Sequence, residues 1–357
     1  MKTTAPGITK VLSVLLAGIG ISVLATHNAF SQSPAQPSAE PAPVSTPAAQ
    51  SDAHSREQWR KGMSRVKLPK KGCFKASYPT TRWEEVPCGA RSPYPNQPAR
   101  VSHPDTVGNG TDYEAQVSGL ISSAVGEFPS VSPSTVTETG PFMGNTKANA
   151  FTLQLNTQLF TTSACGGVSG CLGWQQFIFS QNQCSGPCVF MEYWLLGYYA
   201  VGSSCYSAGT CCPPSPWTTD DNDDGDCYYN SASMGTDALT AAELQGTFLM
   251  GAAEGGTDTV LLSTTSGDVT AMATDSVLNL DQAWNSAEFN VVGDCCRSTA
   301  SFGPGTTIVV RTNVSDGKPN APACVSGGTT GEINNLKIEE HTSELSHSIA
   351  SRMPSSA

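Results

Sequence analysis

Two carboxyls sit inside strongly apolar runs: Glu192 in "FMEYW" and Glu288 in "AEFNVV". Large apolar neighbours strip water from a carboxyl and raise its pKa, which suits it to proton transfer. A third polar signal is the amide pair Gln175 and Gln176 in "GWQQFIFSQ", otherwise an apolar strand. Burying an unpaired amide costs a few kcal/mol, so a buried strand with two amides should hold partners for them. Glutamate and glutamine together make a minimal hydrolytic site. The carboxylate takes a proton from water, and the amide N–H donates to the oxyanion forming on a scissile carbonyl.

Other chemistries are excluded by what the chain lacks. Its five histidines are His27, His54, His103, His341 and His347, so none lies between 104 and 337. Ser-His-Asp and Cys-His nucleophile systems and HExxH zinc sites are therefore ruled out there, unless His103 serves alone. No GxSxG, P-loop or ExDxE-like string occurs either. One acidic run, "DDNDDGD", places Asp220, Asn222, Asp224, Gly225 and Asp226 at positions 1, 3, 5, 6 and 7 of a calcium loop. Position 12 is Ser231 rather than Glu, so the loop predicts at most weak Ca²⁺ binding, and no cofactor is required.

The elements that must position these residues read as strands. Apolar stretches at 150–160, 173–181, 189–199, 244–253, 258–265, 268–274, 287–294 and 306–314 alternate with turn residues, and helical periodicity is scarce. The expected fold is all-β, a two-sheet antiparallel sandwich over 113–337. In "GWQQFIFSQ", alternation puts Trp174, Gln176 and Ile178 on one face and Gln175, Phe177 and Phe179 on the other.

Residues 1–31 carry Lys2, Lys10 and an apolar run at 11–25, the pattern of a signal peptide, and 32–55 form a Pro/Ala/Ser-rich linker. Export makes disulfides the default for the 13 cysteines. Cys73–Cys88, Cys165–Cys171 and Cys184–Cys188 are the local candidates; Cys205, Cys211, Cys212 and Cys227 cluster, Cys295 and Cys296 are adjacent, and Cys324 is left over. After signal cleavage the chain is expected to be secreted or periplasmic, monomeric and free of membrane insertion.

Charge is divided unevenly. Residues 56–103 hold 11 Lys/Arg against 3 acids, whereas 104–337 hold 22 acids against 5 bases. The nearest anionic surface for this basic segment is the chain's own, so it is expected to dock there as a pro-segment (56–112) rather than bind nucleic acid. As pH falls through the carboxylate range the attraction should fade and the segment should lift. From 338 the strand pattern is abandoned, and 338–357 reads as a non-native tail that packs against nothing.

"FTLQLNT", "WQQFIF", "VFMEYWLLGY", "AEFNVVGD" and "STASFGPGTTI", taken in order, resemble the eqolisin-type glutamic peptidases, with neprosin-like peptidases a neighbouring possibility. The resemblance covers about 125–337 and implies a concanavalin-like sandwich cleaving polypeptides in acid. It matches Gln175 to the catalytic glutamine, Glu288 to the catalytic glutamate and Glu192 to a supporting cleft acid. Gln176, Trp194 and Asn156 are expected to contact substrate beside Glu192. "WQQF" departs from the family's "LQTG", Asn156 stands where it has aspartate, and Gly293-Asp294 replaces its second Val-Glu. The rival expectation is a non-catalytic sandwich that binds a glycan or surface partner through Trp174, Trp194, Tyr198, Tyr199 and Trp217.

Overall fold

The structure, a computed structural model, describes residues 47–66, 68, 71–100, 106–220, 224–338, 340–343 and 348–354. The expected signal peptide, most of the linker, His103 and Asn222 lie outside the described residues.

Alternating apolar strands form two antiparallel sheets packed face to face, as the sequence predicts. In the front sheet the spatial order is Thr218–Thr219, Cys227–Asn230, Cys188–Leu196, Leu172–Ser180, Phe151–Thr157, Ser286–Gly293, Asp112–Gln116 and Ala323–Gly327. In the back sheet it is Glu84–Val86, Cys73–Ala76, Asp268–Thr274, Thr257–Ser263, Phe248–Glu254, Ser123–Ser132, Thr307–Ser315, Ser348–Pro354 and Glu340–Ser343. A small third sheet includes a short parallel pairing of Thr299 and Ala300 with Ile333 and Asn334.

Leu153, Leu155, Phe177, Phe179, Met191, Tyr193, Phe289 and Val291 of the front sheet pack against Phe128, Leu249, Val260, Leu262 and Ile308 of the back sheet. Two back-sheet glycines let the aromatic rings in. A Cβ on Gly126 would stand 2.0 Å from Phe289 Cγ, and one on Gly251 would stand 2.4 Å from Phe177 Cδ2.

Three expectations change. The sandwich begins before 113, because Cys73–Ala76 pairs with Asp268–Ala271 and Cys73 is bridged to Cys88. Pro47–Met63 is a helix that overlaps the expected linker; Gln, Glu, Arg and Lys favour it, and Arg56–Asp52 (2.8 Å) and Lys61–Glu57 (3.1 Å) bridge successive turns. The backbone of Ser348–Pro354 pairs with 307–313, so that part of the tail does not stand free.

Six disulfides form: the three expected local pairs, Cys205–Cys211, Cys212–Cys227 and the adjacent pair Cys295–Cys296. Cys324 is free. Such disulfide density fits an extracellular protein. No helix among the described residues is long and apolar enough to cross a membrane.

Candidate functional site

Strand register assembles the site. Glu192 lies opposite Gln176, Gln176 opposite Asn156, Asn156 opposite Glu288, and Glu288 opposite Glu114, each on the next strand of the front sheet. The first four form a polar row on the face turned away from the sandwich core. Three strand spacings of ~4.8 Å put the Glu192 and Glu288 backbones ~14 Å apart, with the two amides between them. All four side chains are buried.

This geometry corrects the assignment of Gln175. Its side chain points into the core between the sheets, where Nε2 donates to Asp258 Oδ2 at 3.0 Å. Period-two alternation therefore gives the site to Gln176. Oriented so that its nitrogen meets acceptors, the Gln176 amide donates to the Asn96 carbonyl (2.8 Å) and to Glu192 Oε1 (2.9 Å). Its other end lies 3.2 Å from Asn156 Oδ1 and 3.1 Å from Gln154 Oε1.

Glu192 Oε1 also accepts from Trp194 Nε1 at 2.8 Å, and Trp174 lies tilted against Trp194 with ring centroids 6.3 Å apart. Glu288 Oε2 accepts from the Thr329 amide (2.7 Å) and hydroxyl (2.9 Å). The remaining oxygens, Glu192 Oε2 and Glu288 Oε1, are buried without a hydrogen-bond partner. Gly328, at φ +124°, leaves room beside the latter; a Cβ there would lie 3.3 Å from Glu288 Oε1.

Burial controls the electrostatics. Desolvation, reinforced by the charge of Glu114, raises Glu288 to about 7. Desolvation also holds Glu192 well above the usual carboxylate range, against the hydrogen bond from Trp194. Glu332 is raised for the same reason, against hydrogen bonds from Thr330 and Gln154. Sequence reasoning missed Glu332 because it lies in the turn "TTGEIN" rather than in an apolar strand. Gln154 was the more legible omission: Thr152, Gln154 and Asn156 alternate along "FTLQLNT".

A length of the chain's own backbone lies over the row. Residues 92–100, "SPYPNQPAR", run through the cleft, bent at Pro93 and Tyr94 and laddered from Gln97 to Ala99. The Asn96 amide donates to Glu192 Oε1 at 2.8 Å, and the Gln97 amide to Glu332 Oε1 at 3.1 Å. Asn96 also bonds Gln183, and Gln97 Nε2 donates to Asp220 Oδ1. Backbone ladder bonds join Ala99 N to Thr329 O (2.7 Å) and Gly331 N to Gln97 O (2.6 Å). The Cys296 amide, beside the vicinal disulfide, donates to Pro95 O at 3.3 Å. At the far end Arg100 reaches Asp224 and Asp226, both at 2.7 Å.

The basic segment is thus docked, chiefly through neutral polar contacts. Among the described residues, the ion pairs from 56–100 to 106–337 are those of Arg100. Asp224 is shared with Arg297 at 3.3 Å, so the acids of the calcium-loop spacing meet the chain's own arginines and Gln97. Among the described residues no group of three or more His, Cys, Asp or Glu side chains is arranged to hold a metal ion.

No protein-family model matches the chain, and no curated protein is found to be similar to it.

Proposed function

We propose that the chain is a secreted endopeptidase of the glutamic type, held in a latent state by residues 92–100. The observation that supports this most is the row Glu192–Gln176–Asn156–Glu288, in which two buried carboxyls with open oxygens flank two amides.

With the covering strand removed, a peptide enters along the row. Glu288, held by Thr329, takes a proton from water as the water oxygen attacks the scissile carbonyl. The Gln176 amide donates to the oxyanion. Glu192, protonated in acid, gives its proton to the leaving amine, and Glu288 passes the proton it took back to Glu192 through solvent water in the opened cleft, which returns both carboxyls to their starting charge. Two carboxyls in unlike environments can divide base and acid roles in this way. Of the aromatics in the glycan-binding alternative, Trp174 and Trp194 are fully buried beneath the covered cleft, whereas Tyr198, Tyr199 and Trp217 are half-buried.

The test is digestion of denatured casein from pH 3 to 8, by the full chain and by chain cut on both sides of 92–100 and freed of the excised strand. Glu288→Gln should abolish cleavage. Gln176→Ala should lower it about 10²–10³-fold, the usual cost of one oxyanion donor. Gln175→Ala should leave the rate per folded molecule within a few-fold. Absence of cleavage by wild type cut on both sides and freed of the strand, or the reverse ranking of the two glutamines, would overturn the proposal.

A further inference from the structure

We infer that the cleft selects extended peptides carrying an arginine or lysine, and that Asp224 and Asp226 form the subsite for that side chain. The inference rests on the peptidase reading for its biological meaning, but the recognition can be tested alone.

The strand at 92–100 shows how a peptide sits. Its backbone pairs with the 329–331 turn through Ala99 N to Thr329 O and Gly331 N to Gln97 O, with Pro98 bridged to Thr330. Pairing of this kind holds any extended chain, so sequence preference must come from side-chain pockets. The Asn96 position faces Gln183 and Gln154, which read an amide. Four residues on, Arg100 meets two carboxylates at once, each at 2.7 Å. Asp226 is buried and fixed by the Gly197 amide at 2.8 Å, so this half of the subsite is pre-formed. A pocket of about 390 Å³ opens beside it, bounded by Leu159, Leu172, Leu196, Gly328 and Thr329, and the last two adjoin Glu288. Glu288 lies behind this wall, its Oε2 capped by Thr329 and its Oε1 beside Gly328. An acidic pocket lined by apolar walls admits a long cationic side chain, whose stem packs while its head pairs.

The experiment uses full-length chain in which residues 92–100 are replaced by a Gly/Ser stretch of the same length, so that the cleft lacks its own strand. Fluorescein-labelled SPYPNQPAR and the same peptide ending in alanine are titrated by anisotropy. The arginine peptide should bind at least about tenfold more tightly, in line with charge-assisted hydrogen bonds to a partly buried acid. Adding Asp224→Asn, whose side chain pairs with arginines among the described residues, should erase most of the difference. Equal binding of the two peptides, or binding of neither by the folded variant, overturns the inference. Cut sites in casein separate the two claims. Cleavage with no arginine or lysine enriched at a fixed distance keeps the peptidase and removes the subsite. Arginine-dependent binding without cleavage keeps the subsite and removes the peptidase.

Discussion

Raising the pH from 4.5 to 7.5 should loosen the strand over the cleft, opposite to the acid release that charge attraction predicts. Glu192, Glu288 and Glu332 are all raised by burial, so the covered state binds their protons more tightly than an open, hydrated cleft would. For such groups the stabilisation is complete below the pKa in water and is lost as pH climbs through the raised value. For Glu288 that window runs from its ordinary 4.5 to about 7. The rise is worth about 3 kcal/mol, or on the order of 100-fold in an opening that returns the carboxyl to water. Opening reaches Glu288 because Thr329 both caps that carboxylate and ladders with Ala99. Arg100 pulls the other way at Asp226, but burial outweighs it and that carboxyl is raised as well. The assay is hydrogen exchange of residues 92–100 in the full chain, expressed as protection so that the intrinsic pH dependence of exchange is removed. Protection should fall steeply between pH 4.5 and 7.5, and the fall should flatten in Glu288→Gln. Protection that is constant, or that grows with pH, would refute the reasoning and restore acid release.

The buried carboxyl in the core gives a parallel expectation for folding. Desolvation, with Asp275 nearby, pushes Asp258 to about 8, so it should weaken the fold as pH rises from about 4 to 8. Asp258→Asn should leave urea stability at pH 4.5 little changed and raise it at pH 8 by several kcal/mol, on the order of 3–5. Gly126→Ala should lower the melting temperature by several degrees, because its Cβ would overlap the Phe289 ring at 2.0 Å and overpacking costs about 1–3 kcal/mol.

Strand positions were legible because apolar alternation and turn residues mark them: 268–274 matches the observed Asp268–Thr274 throughout. The identity of the site glutamine was not. Leu172–Ser180 is buried on both faces, one by the second sheet and one by the covering strand, so apolar content cannot say which face is the core. Glu192 and Glu288 stood out because each interrupts a hydrophobic strand. The covering strand was hidden by composition: "SPYPNQPAR" has the prolines of a linker, and prolines lacking N–H donors can still lie along a sheet edge. The net charge of 56–103 correctly associated that segment with the acidic domain but misjudged the force. Most of its described cations either pair within the segment or face solvent, while backbone amides and carboxamides make the contacts over the cleft.

The covering strand is anchored on both sides. Toward its N-terminus only residues 89–91 separate it from Cys88, which is bridged to Cys73 in the back sheet, and Gly89 also donates to Ser233 O at 2.7 Å. Beyond Arg100 the chain re-enters the front sheet at Asp112. A single nick on either side therefore leaves the strand tethered, at an effective concentration in the millimolar range, and it rebinds faster than a substrate present at micromolar levels can displace it. A second cut makes rebinding bimolecular. In dilute solution the freed nonapeptide then diffuses away, and emptying of the cleft becomes irreversible through dilution alone. The two anchors thus act as a coincidence requirement: a cut on one side alone leaves the cleft filled.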